Sequence, residues 1–232
     1  MTSVVIIGGG PGGYEAALVG AQLGADVTII NRDGLGGAAV LTDVVPSKTL
    51  IAAAEILTRA VEGARLGLQF DHRDTSYARV GVDLPKLNAR IRDLAAQQSK
   101  DIEQRLHDEG ITVVRGAGYL KSAHRVAVHG SDAEFDADIV LLATGTRPRE
   151  LLSARPDGDR ILTWKQLYDL DELPSHLIVV GSGVTGAEFA SAYHGIGSKV
   201  TLVSSREHVL PGQDADAAQV IEDVFDRRGI TV

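Results

Sequence analysis

The sequence predicts an α/β protein built on parallel β-sheets, and three features support this prediction. Short continuous apolar runs such as Val4–Ile7 lack alternation with polar residues, which is typical of strands buried on both faces of a parallel sheet. Glycine-rich turns follow two of these runs, at Gly8-Gly9-Gly10 and at Gly181-Ser182-Gly183. After each turn come a helical pattern and a second apolar run, so the sequence predicts a β-α-β unit at both places.

The predicted elements follow in order along the first part of the chain. The opening β-α-β unit consists of strand Val4–Ile7, helix Tyr14–Leu23 and strand Val27–Ile30. A proline in its first turn predicts the helix from Pro46 to about Glu62, and an apolar stripe predicts a longer helix from Leu84 to about Glu109. Short strands are then predicted at Ile111–Arg115, Val126–His129, Glu134–Asp136 and Asp138–Ala143.

A stretch with little periodicity separates this part from the second β-α-β unit. Three of the seven prolines lie between Thr146 and Pro174, so we expect a linker or domain crossing there. The elements after it are predicted at Leu177–Val180, Ala187–Ile196, Lys199–Val203, Ala215–Arg228 and Ile230–Val232. We expect a first domain over residues 1–147, a crossing over 148–175 and a second domain over 176–232. A doubly wound sheet needs more strands than these, so we expect the second domain to be truncated at the chain end and the chain to be a fragment of a longer protein.

Composition excludes several classes of function. The net charge is 23 − 31 = −8 and no segment concentrates Lys and Arg, which argues against nucleic acid as a partner. Cysteine is absent, which excludes disulfides, thiolate metal sites and cysteine nucleophiles, and the seven histidines are scattered, so no metal site is predicted. The sequence shows no membrane-spanning run and no signal peptide, and we expect a cytoplasmic protein.

The two glycine turns match the dinucleotide-binding fingerprint. In Gly8-x-Gly10-x-x-Gly13 and Gly181-x-Gly183-x-x-Gly186, the first glycine permits a tight turn, the second lets the backbone approach a pyrophosphate, and the third lets helix and strand pack closely. A single match could be a purely steric turn, but two matches favour two Rossmann-like, three-layer dinucleotide-binding domains. Two dinucleotides in one chain indicate electron transfer between them, and the predicted cofactors are FAD together with NADP or NAD.

The residues after the second strand of each unit indicate how the ribose is bound. A carboxylate usually stands there, but the first unit offers Asn31, with Arg32 after it and Asp33 two residues late. The second unit offers Ser204-Ser205-Arg206, which favours a 2′-phosphate over a 2′-hydroxyl. We therefore predict that NADPH is used at least as well as NADH. The alternative is that Arg206 is a solvated surface charge.

Further motifs give the chain a family resemblance. They are the first fingerprint, Gly36-Gly37 followed by Pro46-Ser47-Lys48, the run Ile139–Gly145, and the second fingerprint followed by Ala187-Glu188. Together and in this order, they resemble the flavoprotein pyridine nucleotide-disulfide oxidoreductases, the family of dihydrolipoamide dehydrogenase and glutathione reductase. The resemblance covers the whole chain and about the first half of such an enzyme, and it implies a homodimer formed through a C-terminal domain that this chain lacks.

In that family two cysteines form a redox disulfide between the glycine pair and Pro-Ser-Lys, and the matching positions here are Ala39 and Val44. Without thiols there is no dithiol-disulfide exchange, so we do not expect a functional lipoamide dehydrogenase. The segment is similar to that of a cysteine-less subgroup of NAD(P)H:quinone reductases. The resemblance therefore implies an enzyme that passes electrons to a quinone or similar small acceptor. A redox-sensing flavoprotein that binds both cofactors and turns over slowly is the alternative.

The resemblance also implies site residues. Lys48 and Glu188 are predicted to form an ion pair beside the flavin N5, where a cation would stabilise the charge that develops on the reduced flavin. The residues predicted to bind the cofactors are Gly8, Gly10, Pro11, Gly12, Gly13, Asn31, Arg32, Gly36, Gly37, Ala38, Lys48, Gly118, Ala143, Thr144, Gly145, Gly181, Gly183, Val184, Thr185, Gly186, Ser204, Ser205 and Arg206.

Overall fold

A computed structural model describes residues 1–67 and 81–232. The chain divides into two compact units, one formed by residues 1–46 and 91–165, the other by residues 47–90 and 166–232. The second unit thus includes a segment from the first half of the chain. The domain boundaries at residues 147 and 175 stay a prediction.

The strands are β1 (Ser3–Ile7), β2 (Asp26–Asn31), β3 (Thr112–Arg115), β4 (Gly118–Ser122), β5 (Arg125–Val128), β6 (Glu134–Asp136), β7 (Ile139–Leu142), β8 (His176–Val180) and β9 (Lys199–Val203). The helices are α1 (Pro11–Gln22), α2 (Gly37–Leu41), α3 (Val44–Arg65), α4 (Leu84–Asp108), α5 (Val184–Gly195) and α6 (Ala215–Arg228), and a 3₁₀-helix covers Trp164–Asp169. Strand β4, helix α2 and the 3₁₀-helix were not predicted. Of the strand expected at Ile230–Val232, only Thr231 pairs, in a parallel bridge to Thr201.

A four-stranded parallel sheet forms the centre of the first unit, in the order β3-β2-β1-β7. Its alternate side chains enter two apolar clusters. Ile6 and Ile29, with no exposed surface, pack with Leu18 of α1 and Leu106 of α4, while Val5 lies in a second cluster with residues of the antiparallel sheet β4-β5-β6. The parallel sheet is therefore the middle of three layers. Each fully buried isoleucine stabilises the unit by roughly 1.5–3 kcal/mol.

The second unit contains the parallel pair β8-β9, against which α5 packs. Helix α5 also approaches α3 closely, because Gly195 has no side chain: a Cβ there would lie 3.1 Å from the Ala54 Cβ and 3.2 Å from the Thr58 Oγ1. Tyr193 stabilises the 3₁₀-helix by a hydrogen bond, which its hydroxyl donates to the Leu167 carbonyl at 3.1 Å. Burial raises the pKa of Tyr193 far above its ordinary value, which keeps this hydroxyl a donor.

Two features of the described residues bear on function. Among residues 1–67 and 81–232, no helix combines the length and the apolar character that crossing a membrane requires. In the same ranges, no group of three or more His, Cys, Asp or Glu side chains is arranged to hold a metal ion.

Candidate functional site

The first glycine turn joins β1 to α1. Gly8 has a φ of +113°, a backbone conformation that favours glycine, and its N–H donates to the Ile30 carbonyl at 2.8 Å. A Cβ on Gly13 would overlap the Gly8 carbonyl oxygen, so the third glycine of the fingerprint permits close contact of helix and strand. Gly12, by contrast, faces open space. The turn thus leaves room for a ligand at the N-terminus of α1, where the helix dipole favours an anion.

The second glycine turn has the same geometry between β8 and α5. Gly181 has a φ of +116° and donates to the Val203 carbonyl at 2.9 Å, and a Cβ on Gly186 would overlap the Gly181 carbonyl oxygen. A Cβ on Gly183 would meet nothing within 4 Å. Val184 and Thr185 form the first turn of α5, and Val184 is exposed. Two separate segments have therefore folded into matching strand-turn-helix units with an open approach to the helix N-terminus.

Asn31 contacts the first glycine turn directly. Its Oδ1 accepts a hydrogen bond from the Gly9 N–H at 3.2 Å, and the Gly9 carbonyl accepts one from the Gly36 N–H at 2.7 Å. Gly37 follows, and a Cβ there would lie 2.7 Å from the Gly10 Cα, so the glycine pair lets the start of α2 approach the turn. Asn31 therefore orders the turn, and its predicted contact with the ribose stays a prediction.

Arg32 and Asp33 form an exposed ion pair beside this turn. The guanidinium donates to both carboxylate oxygens at 2.7 Å. The hydrogen bond from Arg32 lowers the pKa of Asp33, and the charges of Lys165 and Arg147 lower it further. Arg32, which was predicted to contact the cofactor, is held to its neighbour in this structure.

The remaining residues predicted for the first unit gather at the C-terminal ends of its parallel strands. A Cβ on Gly118 would lie 3.2 Å from the Ile30 Cγ2, so β4 begins close to the end of β2. Ala143 donates from its N–H to the Ile7 carbonyl at 2.9 Å, and Thr144 and Gly145 continue from it. Pro11 begins α1, and Ala38 lies in α2. Ligands of open α/β sheets bind at this edge.

Ser182 and Ser204 connect the second glycine turn to the loop after β9. The buried Ser182 Oγ lies 2.7 Å from the Ser204 Oγ. Ser204 Oγ also donates to the Arg206 carbonyl at 2.9 Å and accepts from the Arg206 N–H at 3.0 Å. Ser205 and Arg206 are exposed. The three residues predicted to recognise a ribose phosphate therefore form one short hydrogen-bonded turn.

A cavity of about 440 Å³ lies beside this turn, lined by residues 205–213 together with Ala215 and Ala218 of α6. The loop that lines it is fixed from two sides. The Leu210 N–H donates to the Ser182 carbonyl at 2.7 Å, and the Glu222 carboxylate of α6 accepts from the Val209 N–H at 2.7 Å. The volume of this cavity is within the range of small-molecule sites.

Lys48, Glu188 and Ser47 form the polar cluster of the second unit. The Lys48 ammonium contacts Glu188 Oε1, and the buried Ser47 hydroxyl donates to Glu188 Oε2 at 3.3 Å. The two oxygens of one carboxylate thus have separate donors on consecutive residues of α3. The predicted pair is in contact in the structure, while its role in catalysis stays a prediction.

The sequence did not identify Ser47 or Ser182 as site residues. In the sequence, Ser47 is distinguished only as part of the Pro46-Ser47-Lys48 motif, and a serine before a lysine has many ordinary explanations. The contact of Ser182 could have been predicted from the sequence, since Ser182 precedes Ser204 by 22 residues, the same separation as between Gly9 and Asn31. Comparing the two units position by position would have found it. The cysteine positions of the resemblance, Ala39 and Val44, lie in α2 and at the start of α3.

Comparisons with known proteins decide the family. The model of the pyridine nucleotide-disulphide oxidoreductase family matches residues 2–232. The chain belongs to this family. It is 52% identical, over 99% of its length, to the NAD(P)H dehydrogenase (quinone) of Mycobacterium tuberculosis strain H37Rv, of which it covers 48%. It is 31% identical to the dihydrolipoyl dehydrogenase of Bacillus subtilis, of which it covers 50%.

Solved structures of the pyridine nucleotide-disulphide oxidoreductase family agree with the fold. The crystal structure of LpdA from Mycobacterium tuberculosis is 50% identical, with a TM-score of 0.89, and the chain covers half of it. The HOCl-induced flavoprotein disulfide reductase RclA of Escherichia coli is 25% identical, with a TM-score of 0.76, and the chain covers 48% of it. The predicted Rossmann-like α/β class and the predicted family are confirmed. The family uses FAD and NAD(P)H, which confirms the predicted cofactors, and the chain spans about half the length of the relatives it matches.

Proposed function

We propose that this chain is the cofactor-binding part of an FAD-dependent NAD(P)H dehydrogenase that passes electrons to a quinone-type acceptor without a redox disulfide. One observation supports this most directly: both fingerprints are intact while the chain contains no cysteine. A member of this family without thiols cannot reduce a disulfide by exchange. A small acceptor that takes electrons from a flavin directly requires no thiol.

The glycine turns fit the pyrophosphates of the two cofactors. A Cβ on Gly12 or Gly183 would meet no protein atom within 4 Å, so the backbone at each turn is open to a ligand. Each turn also lies at the N-terminus of a twelve-residue helix, whose dipole stabilises an anion. In this proposal the first turn binds the FAD and the second binds the nicotinamide dinucleotide.

The cluster of Ser47, Lys48 and Glu188 supports a catalytic role for Lys48. A bound flavin would supply the redox chemistry, as the carrier of electrons from the nicotinamide to the acceptor. In this proposal the Lys48 ammonium lies beside the flavin and stabilises the negative charge that reduction creates. Glu188 orients the ammonium, and Ser47 orients Glu188 by its hydrogen bond to the second carboxylate oxygen.

Steady-state reduction of a benzoquinone by NADPH, followed with the purified FAD-loaded protein, tests the proposal. We expect repeated turnover, on the order of 1 s⁻¹ or faster, which is within the usual range for enzymes. The same preparation should not oxidise dihydrolipoamide. A single stoichiometric reduction of the flavin would favour the slow redox sensor, and turnover of a dithiol would contradict the proposal.

Use of NADPH is the finer part of the proposal. The end of β9 offers Ser204, Ser205 and Arg206 where NAD-binding sites commonly offer a carboxylate, and an arginine suits a 2′-phosphate. We expect kcat/KM for NADPH to equal or exceed that for NADH, and a strong preference for NADH would contradict this part alone. The homodimer and the cytoplasmic location stay predictions, which light scattering and cell fractionation can test.

A further inference from the structure

We propose that Ser182 and Ser204 form a hydroxyl pair that positions Arg206, and that this pair strengthens recognition of a dinucleotide with a 2′-phosphate. Ser204, although predicted from the sequence to contact the cofactor, then acts as a positioning residue through Arg206. The inference rests on the proposed use of NADPH and names the residues that would determine it.

The hydrogen bonds of Ser204 leave one consistent arrangement of protons. A serine hydroxyl has one hydrogen to donate and two lone pairs to accept with. The Arg206 carbonyl can only accept, so the Ser204 hydrogen goes to it, at 2.9 Å. The Arg206 N–H donates to Ser204 at 3.0 Å, and Ser182, at 2.7 Å, must therefore be the donor to Ser204. All three capacities of the Ser204 hydroxyl are used within the protein, and donating to a phosphate would require breaking the bond to Arg206.

A second hydrogen bond ties the same loop to the glycine turn. The Ser182 carbonyl accepts from the Leu210 N–H at 2.7 Å, and Leu210 has a φ of +52°, which is uncommon for a residue with a side chain. Surrounding contacts must hold a backbone in that conformation. Ser182, only 4% exposed, therefore anchors the loop through its side chain on one side of Arg206 and through its main chain on the other.

The first unit has a similar contact between its second strand and its glycine turn, but it lacks the hydroxyl pair. There, Asn31 also connects the end of the second strand to the glycine turn, but it reaches the N–H of Gly9, which has no side chain. The serine hydroxyl of Ser182 allows Ser204 to use its own hydrogen on Arg206. The main chain of Arg206 is thus fixed by both its N–H and its carbonyl, while its exposed side chain stays available to a ligand.

Calorimetric titration of the FAD-loaded protein with ADP-ribose and with 2′-phospho-ADP-ribose tests the inference by binding alone. We expect Ser204→Ala to weaken 2′-phospho-ADP-ribose about 3- to 10-fold, the effect of losing one hydrogen bond, and to leave ADP-ribose within about 2-fold. Ser204→Thr should restore the preference. Ser198→Ala is the control, because Ser198 lies in the same unit and its hydroxyl, like that of Ser204, donates to a main-chain carbonyl, here that of Pro174.

A double-mutant cycle separates positioning from direct contact. If Ser204 acts through Arg206, Ser204→Ala should have no further effect on 2′-phospho-ADP-ribose in an Arg206→Ala protein, whereas a direct phosphate ligand would give an additive loss. An additive loss, an equal loss for both ligands, or no loss would overturn the inference. A wild-type protein that reduces quinones but binds both ligands equally would also overturn it and leave the proposed dehydrogenase intact.

Discussion

Replacing Lys48 with methionine separates its proposed role at the flavin from its contribution to stability. The Lys48 side chain is 56% exposed and that of Glu188 24%, so the ion pair is partly solvated and contributes only about 0.2–1 kcal/mol to folding. The effect on reduction should be larger. Two charges about 4 Å apart interact with about 1 kcal/mol in bulk water and about 4 kcal/mol near a protein surface.

The half-exposed position of Lys48 places the expected loss between these limits, at about 1.4–2.7 kcal/mol, which slows flavin reduction by about 10- to 100-fold. Anaerobic stopped-flow measurement of flavin absorbance after mixing with saturating NADPH gives this rate. The matched control is Lys121→Met, because Lys121 forms a similar ion pair with Glu134 in the antiparallel sheet of the first unit, with side chains 50% and 35% exposed. Equal reduction rates in Lys48→Met and wild-type protein would refute the role of Lys48.

Two further predictions follow from contacts in the two units. Gly186→Ala should lower Tm by about 3–10 °C, since its Cβ would overlap the Gly181 carbonyl. Gly183→Ala should leave Tm nearly unchanged and weaken NADPH binding about 10-fold or more, since its Cβ would lie in open space. Equal shifts in Tm for the two variants would contradict this difference. The Ser3 backbone N–H, and then its hydroxyl, lower the pKa of Asp138, so the stability that this carboxylate provides is present above pH about 4 and is lost as the pH falls through the lowered pKa. Asp138→Asn should therefore lower the free energy of unfolding at pH 7 but not in strong acid, and denaturant midpoints that differ equally at both pH values would contradict this.

The sequence predicted the parallel strands well because each reads as a short apolar run. The burial on both faces that such a run predicts does not hold for every strand, since Ile139 of β7 and Ile178 and Val180 of β8 are exposed. Strand β4 carried no such signal: Tyr119 and Leu120 are both exposed, and pairing with β5 decides its conformation. Helix α2 has five residues, too few for a periodic pattern, and begins after Gly36 in a left-handed conformation.

Only part of the candidate site could be predicted from the sequence. The glycine fingerprints could be read directly, because strand, turn and helix are adjacent in the chain. The contact of Lys48 with Glu188 joins residues 140 positions apart and was predicted from the family resemblance alone. The hydrogen bonds of Ser47 and Ser182 depend on side-chain geometry that no local pattern specifies.

Helices α3 and α5 contact each other at two positions along their length, and this constrains the number of residues in α3 between the two contacts. Glu188 meets Ser47 and Lys48 at one level, and seven residues further on Gly195 meets Ala54 at the other. An α-helix turns by about 100° per residue, so one inserted or deleted amino acid between Lys48 and Ala54 would rotate one contact away from α5 whenever the other was kept. Evolution can exchange side chains along this segment more easily than it can change its length.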